Sequence, residues 1–247
     1  MLELDAWLKI AKSAALEGGN YLLQNQGKEL KVLMDSGRDI KLQLDTDTEK
    51  LIKESLSSQS SFSILGEETG LSNNLGEFYW VVDPLDGTSN FLRDIPISCV
   101  SIALMQDVTP ILGVIYDFNH DDLYFGHQNS KAFLNQNEIT VSDYSKKNQS
   151  TLVTGIPAKT HYSDKEFKNM INDFQDWKKV RMIGSAAMAS VYVASGKADL
   201  YTEKKTYLWD IAAGAAIVNA AGGETSIVNQ NENFQVDVHF SNSHLKI

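Results

Sequence analysis

The sequence predicts an α+β fold, with helices layered on two sheets and site residues gathered where strands end. Three observations lead there. Apolar residues recur at three- and four-residue spacing in some segments, the mark of a helix face, and form short dense runs in others. Strand-like runs follow one another through the middle of the chain, whereas strands and helices mix beyond residue 150. The composition, 43% hydrophobic and 22% charged over 247 residues, is ordinary for a globular protein. A chain this long can bury about 70% of its unfolded surface, so it needs no disulfide or zinc staple.

Between residues 4 and 24, Leu4, Trp7, Leu8, Ala11, Ala15 and Leu22 mark one face of a helix; Gly18-Gly19 weaken it and Gly27 follows its end. Residues 39–44 read as a short extended stretch. Thr46-Asp47-Thr48-Glu49 has the Thr-x-x-Glu form of a capping box, so a helix carrying Leu51, Ile52 and Leu56 should follow. Ser63-Ile64-Leu65 is a strand that ends at Gly66-Glu67-Glu68. Residues 78–82 form a second, ending at Asp83-Pro84-Leu85-Asp86-Gly87-Thr88, where proline and glycine impose a turn. Residues 97–105, 111–118 and 122–125 read as consecutive strands of a meander. A strand at 151–155 precedes a helix at 164–174 with Phe167, Met170, Ile171 and Phe174 on one side. A strand at 180–183, a helix at 185–194 and a strand at 199–202 come next. The helix at 209–221 is stopped by Gly222-Gly223, which suits a C-terminal cap.

The 32 acidic against 22 basic residues leave a formal charge of −10 and a pI near 4.9. That excess excludes binding to nucleic acid or to an anionic membrane by charge alone. Cys99 is the single cysteine, which excludes an intrachain disulfide and any multi-cysteine metal site. The start Met1-Leu2-Glu3-Leu4-Asp5 lacks the basic stretch of a secretory signal. No apolar run reaches the roughly 18 residues a membrane span requires. Asn148-Gln149-Ser150 matches a glycosylation sequon, which without an export signal is read as chance. The expectation is a soluble cytoplasmic protein.

Acids are concentrated at three strand or helix ends: Glu67-Glu68, Asp83 with Asp86, and Asp210 after Trp209. Converged carboxylates repel, and a fold tolerates that with cations or shared protons. Hard oxygen donors without His or Cys suit Mg²⁺, Mn²⁺ or Ca²⁺. Each piece has a plainer explanation. A Glu-Glu pair in a loop is ordinarily solvated, and Asp-Pro-x-Asp-Gly is ordinarily a turn. Thr88 after Gly87 adds weight, because such a pair can open a helix whose free N–H groups accept a phosphate.

Gly66-Glu67-Glu68, Trp80-Val81-Val82-Asp83-Pro84-Leu85-Asp86-Gly87-Thr88-Ser89-Asn90-Phe91 and Leu208-Trp209-Asp210-Ile211-Ala212-Ala213-Gly214 together resemble the inositol monophosphatase family. Order and spacing of all three motifs fit, and the resemblance runs from the first helix almost to the C-terminus. It implies a layered αβαβα sandwich of the inositol monophosphatase/fructose-1,6-bisphosphatase type, as one phosphatase domain over residues 1–247. Residues 1–145 would carry the metal site and 146–247 the substrate side. It implies Mg²⁺-dependent, lithium-sensitive hydrolysis of a phosphate monoester by a metal-activated water, with two or three ions and Mn²⁺ as a substitute. It also implies a homodimer.

By position, the resemblance gives the first metal to Glu67, Asp83 and the Leu85 carbonyl, and the second to Asp83, Asp86 and Asp210. A third, weaker ion would lie near Glu67. Thr88 and Asp45 would orient and deprotonate the water, with Glu67 also at the catalytic corner and Glu68 supporting it. The Gly87 and Thr88 amides would bind phosphate. Glu203 would bind a ring hydroxyl, and Gly184-Ser185-Ala186 would line the alcohol side. Two features depart from the pattern. Leu42 and Leu44 stand before Asp45 where the family often has small or hydroxyl residues, and the chain ends at Ser241-Asn242-Ser243-His244-Leu245-Lys246-Ile247 without the closing helix of many members.

Ser89-Asn90-Phe91 is similar to the Thr-Asn-Phe of the inositol and sugar phosphatases. Inositol-1-phosphate or a similar polyol phosphate is therefore the expected substrate. A 3′(2′),5′-bisphosphate nucleotidase, a histidinol-phosphate phosphatase and, from another class, a regulatory protein-binding module remain alternatives. Small side-chain changes discriminate by only about 1–3 kcal/mol each. Asp45-Thr46-Asp47 faintly resembles the nucleophile motif of haloacid-dehalogenase-type phosphatases, but Lys41 and Gln43 interrupt the apolar strand that motif needs. His120, His127, His161, His239 and His244 show no ligand spacing, and Cys99 reads as a buried inert thiol. Trp209 precedes Asp210 and is placed to wall the site. Six acids, Asp45, Glu67, Glu68, Asp83, Asp86 and Asp210, belong to the expected site, which leaves four of the ten excess negative charges elsewhere.

Overall fold

The computed structural model describes residues 3–36, 39–156 and 161–246; Met1, Leu2 and Ile247, at the chain ends read above, lie outside them. The first elements are α1 (Leu4–Asn25), β1 (Val32–Ser36), β2 (Asp39–Leu42), α2 (Gln43–Ser57), β3 (Ser63–Gly66), β4 (Gly70–Leu71), β5 (Phe78–Asp86) and α3 (Thr88–Phe91). The meander follows as β6 (Cys99–Gln106), β7 (Thr109–Asp117), β8 (Asp122–His127), β9 (Ala132–Leu134) and β10 (Asn137–Ile139). The remainder comprises β11 (Thr151–Thr154), α4 (Asp164–Phe174), β12 (Lys179–Met182), α5 (Ala186–Ala194), β13 (Leu200–Tyr207), α6 (Leu208–Ala220), β14 (Glu224–Val228) and β15 (Gln235–Ser241).

β10-β9-β8-β7-β6-β5-β3-β4 form an eight-stranded sheet, antiparallel except where β3 pairs parallel with β5. β12-β11-β13-β15-β14 form a five-stranded sheet in which β11 runs parallel to both neighbours. α1 and α2 cover one face of the large sheet, α5 and α6 fill the space between the sheets, and α4 lies outside the small one. The order of layers is αβαβα, as the resemblance implied. Strands buried on both faces read as continuous apolar runs. In β5, Trp80 and Val82 turn toward α1 and α2, while Tyr79 and Val81 turn toward α5 and α6. The period of two carries Asp83 to the same side as Tyr79 and Val81.

Close approach explains several small residues. A Cβ on Gly113 of β7 would lie 2.1 Å from the Ala213 carbonyl oxygen of α6, so that helix rests directly on the sheet backbone. Gly18-Gly19 do not weaken α1; both are buried within it, and a Cβ on Gly19 would lie 2.4 Å from the Tyr116 ring. The packing gained outweighs the propensity lost, about 1 kcal/mol for each glycine.

Three local expectations are corrected. The α2 capping box at Thr46–Glu49 is not formed: the helix begins four residues earlier, with Leu42 rather than Thr46 at the N-cap, and the Leu42 N–H donates to Asp45 Oδ2 at 2.9 Å. β5 does not stop at Val82. It continues through Pro84 to Asp86 across a register shift between Asp83 and Asp86, an irregularity that accommodates the missing N–H of proline, and the turn comes at Gly87. α4 has the predicted bounds, yet none of its residues is fully buried. β1, β4, β9, β10, β14 and β15 were not anticipated, although Val236, Val238 and Phe240 alternate inward along β15 as a strand should. Among the described residues no helix is long and apolar enough to cross a membrane.

Candidate active site

Glu67, Asp83, Leu85, Asp86, Gly87, Thr88, Gly184, Ser185, Ala186, Glu203 and Asp210 line one pocket of about 260 Å³. The pocket opens where β3 and β5 of the large sheet end against the N-termini of α5 and α6. The first N–H groups of a helix have no partner within it, and they and the positive end of each helix dipole favour negative charge here.

Each acid is held by its own local device. Glu67 follows β3, and its N–H donates to the Val82 carbonyl at 3.1 Å, which keeps it beside Asp83. Asp83 is 1% exposed, and its Oδ1 accepts the Leu85 N–H at 3.0 Å. Asp86 Oδ2 accepts the Ser185 hydroxyl at 2.6 Å and the Ala187 N–H at 2.7 Å, so it caps α5 from across the pocket. Ser185 is the N-cap of α5 and accepts the Met188 N–H at 3.1 Å. Asp210 sits in the first turn of α6, where its Oδ2 accepts the Thr206 hydroxyl at 2.8 Å and the Tyr207 N–H at 3.0 Å. Gly87 has φ +91°, a left-handed conformation costly for a side chain, and a Cβ there would lie 2.7 Å from the Ile97 carbonyl. Thr88 Oγ1 donates to the Leu85 carbonyl at 3.1 Å.

The electrostatics follow from crowding acids into protein. Burial, then Asp210, pushes Asp86 up to about 7. Burial raises Asp210 to about 6, against the donors at Tyr207 and Thr206. Glu67 and Asp83 are pushed well above the carboxylate range, first by burial, then by other acids: Asp210 acting on Glu67, and Glu67 on Asp83. Glu203, whose Oε2 accepts the Tyr201 hydroxyl at 3.0 Å, is raised to about 8, chiefly by burial.

Not every expected residue reaches the pocket. Asp45 is 2% exposed and does not line it; burial raises it to about 7, and Glu68 and Lys41 are the charges it senses. Its Oδ1 is sealed from solvent and accepts no hydrogen bond among the described residues. Glu68 pairs with Lys41 at 3.1 Å. Of Ser89-Asn90-Phe91 only Ser89 lines the pocket. Asn90 Nδ2 donates to the Ile97 and Ile183 carbonyls, both at 2.8 Å, and ties the two sides of the site together. Phe91 is core, edge-on to Phe118. Trp209 does not wall the pocket: it stacks on Tyr207 at 4.7 Å in a neighbouring cleft with Lys41 and Phe234. Thr154, Gly155, Tyr201, Thr206 and Tyr207 line the pocket without having been anticipated. Only Gly155, a glycine just past a strand, carried a local signal.

The donor set fits hard cations. It is all oxygen, with Asp83 buried and Glu67, Asp86 and Asp210 half-buried, and held in mutual repulsion that divalent charge relieves. Asp45 Oδ1 adds a buried acceptor whose isolation costs about 1–3 kcal/mol. The acids are spread around the pocket wall: among the described residues no three His, Cys, Asp or Glu side chains close on a single ion position.

Layered αβαβα architecture with acids and helix N-termini on one small pocket describes a hydrolase of phosphoric monoesters. Comparison with known proteins agrees. The chain matches the model of the inositol monophosphatase family over residues 3–245. It is 38% identical to a Nus factor SuhB of Xylella fastidiosa, covering 87% of this chain and 80% of that protein. It is 34% identical to an inositol-1-monophosphatase of Synechocystis, covering 91% and 79%. The structure of an inositol monophosphatase from Anabaena superposes with a TM-score of 0.86 at 31% identity, covering 98% of this chain and 93% of that one. The chain belongs to the inositol monophosphatase family.

Proposed function

We propose that the protein hydrolyses a small polyol phosphate, inositol-1-phosphate or a similar sugar phosphate, with Mg²⁺ at its carboxylates. The observation that carries this reading is the single pocket in which Glu67, Asp83, Asp86 and Asp210 face Glu203 and the α5 N-terminus. The Synechocystis relative is named for the same ester.

Glu67, Asp83, the Leu85 carbonyl, Asp86 and Asp210 would hold two or three ions, Mg²⁺ or in its place Mn²⁺. When bound, such ions supply positive charge and Lewis acidity to the phosphate. The Gly87 and Thr88 amides offer N–H donors to phosphate oxygens. Thr88 and Glu67, which line the pocket, would orient a water, and the Glu67 carboxylate would take up its proton. The water oxygen bonds to phosphorus as the bond from phosphorus to the polyol oxygen breaks, and a proton ends on the alcohol released. Glu203 accepts a hydrogen bond from a ring hydroxyl, while Gly184, Ser185 and Ala186 border the alcohol.

The test is phosphate release with and without Mg²⁺ from inositol-1-phosphate, fructose-1,6-bisphosphate, 3′-phosphoadenosine-5′-phosphate and histidinol phosphate. The first is expected to turn over fastest, with lithium inhibiting. Asp83→Asn should lose activity by orders of magnitude while its circular dichroism stays native; near-normal turnover overturns the reading. The nucleotide or histidinol ester winning would reassign the substrate within the family. A second reading, a regulatory protein-binding role, draws on the name of the Xylella relative. Silence on all four esters would favour it. Light scattering checks the homodimer that the resemblance implies.

A further inference from the structure

Glu49 is an acid for which the site just described has no use. It is 0% exposed and lies one helical turn after Asp45 on α2. Its Oε2 accepts the Glu68 N–H at 2.8 Å, and its Oε1 accepts the Thr69 N–H at 3.0 Å and the Thr69 hydroxyl at 2.5 Å. Lys53, the next turn of the same helix, pairs with Oε1 at 3.1 Å. A Cβ on Gly66 would lie 2.4 Å from this carboxylate, so the chain passes directly over it. The two amides it receives are those immediately following Glu67. They set the peptide planes through which Glu67 leaves β3 toward the pocket.

We propose that Glu49 is a positioning residue: its carboxylate fixes the turn after Gly66, so that one rigid helix sets both Asp45 and the Glu67–Glu68 corner. The inference rests on the reading that Glu67 helps hold a divalent ion. A carboxylate bonded to two backbone N–H groups and a hydroxyl is a geometric template, because each donor fixes a direction as well as a distance. Charge balance alone could be met by Lys53 and any nearby acid; the paired amides could not. Groups that orient ligands in this way typically govern metal affinity by about 10–100-fold.

The test measures Mg²⁺ binding by titration calorimetry, with phosphate release as a second readout. Glu49→Gln keeps the shape but turns an NH₂ group toward donors that need an acceptor. It should weaken Mg²⁺ binding about 10–100-fold and raise the Mg²⁺ concentration for half-maximal activity in step, with kcat at saturating Mg²⁺ close to that of the parent. Gly66→Ala, which presses on the same carboxylate from the chain side, should weaken binding in the same direction and serves if Glu49→Gln fails to fold. Ile52→Val, on the same helix, loses stability through packing and should leave Mg²⁺ affinity unchanged. Parental affinity in Glu49→Gln, or in Gly66→Ala where Glu49→Gln does not fold, overturns the proposal. So does an equal loss in Ile52→Val. Glu67→Gln separates the two readings: if it too binds Mg²⁺ like the parent, the metal reading fails first.

Discussion

α6 and α4 are of similar length, 13 and 11 residues, and meet opposite surroundings. α6 has almost no polar face: nine of its residues are buried, because both sheets press on it. α4 is amphipathic and opens with a full capping box, in which Ser163 Oγ accepts the Glu166 N–H and Glu166 Oε2 accepts the Ser163 N–H. Yet Phe167 and Ile171 on its apolar side are 45% and 43% exposed. Helical periodicity therefore identified α4 correctly without revealing how deep it sits. An apolar run with no stripe, as in α6, is the stronger sign of burial on every side. Asp210 is carried by the helix packed between both sheets.

Four substitutions or conditions probe this contrast, beginning with the largest effect. Ile217→Ala on α6 removes a side chain that is 0% exposed and should cost about 2–5 kcal/mol, a fall of roughly 10 °C in the thermal midpoint. Gly113→Ala should cost about 1–3 kcal/mol or more, since its Cβ meets a backbone oxygen of α6 that no rotamer change can move. A midpoint within a degree of the parent would show that α6 can lift from the sheet after all.

The third is pH. Burial holds Asp86 at about 7, Asp210 at about 6 and Glu203 at about 8, all above ordinary carboxylates. Each therefore binds its proton more tightly in the folded chain than in the unfolded one. Its contribution to stability is complete below the unfolded value near 4 and is lost as pH rises through the folded values. The thermal midpoint of chelated protein should thus fall between about pH 5 and pH 8, and Mg²⁺ should restore it at the upper end. A midpoint that rises with pH in chelator contradicts this. The smallest effect is on the outer helix, where Ile171→Ala should change stability by no more than about 0.5 kcal/mol in a melt. A loss as large as that of Ile217→Ala would mean that α4 is covered in solution.

What was legible in the chain followed from short-range rules. The apolar run at 78–82 marked the strand that delivers Asp83, and the run at 209–221 marked the helix that carries Asp210. The family resemblance, rather than those rules, named Glu67, Asp86, Thr88, Ser185 and Glu203 together, and all five line one pocket. What was illegible depended on partners far away. Thr46–Glu49 has the letters of a capping box, but Asp45 takes the capping position and Glu49 answers to Glu68 and Thr69 instead. Asn90 resembles a specificity residue and serves as a tie between loops. Tyr201, Thr206 and Tyr207 reach the pocket through the pairing of β13 with β15, a strand the reading did not contain.

The bonds that Asp86 makes with Ser185 and Ala187 join residues 99 and 101 positions apart in the chain. During synthesis the phosphate motif at residues 83–88 is therefore complete long before its cap exists. A fragment that ends between residues 88 and 185 contains the signature but lacks Ser185 and Ala187, so possession of the motif and possession of the site are separate events in the life of the chain. Closure over such a separation carries its entropy cost before any contact repays it. Appearance of the finished pocket is thus a late reporter that both sheets and the helices between them have docked.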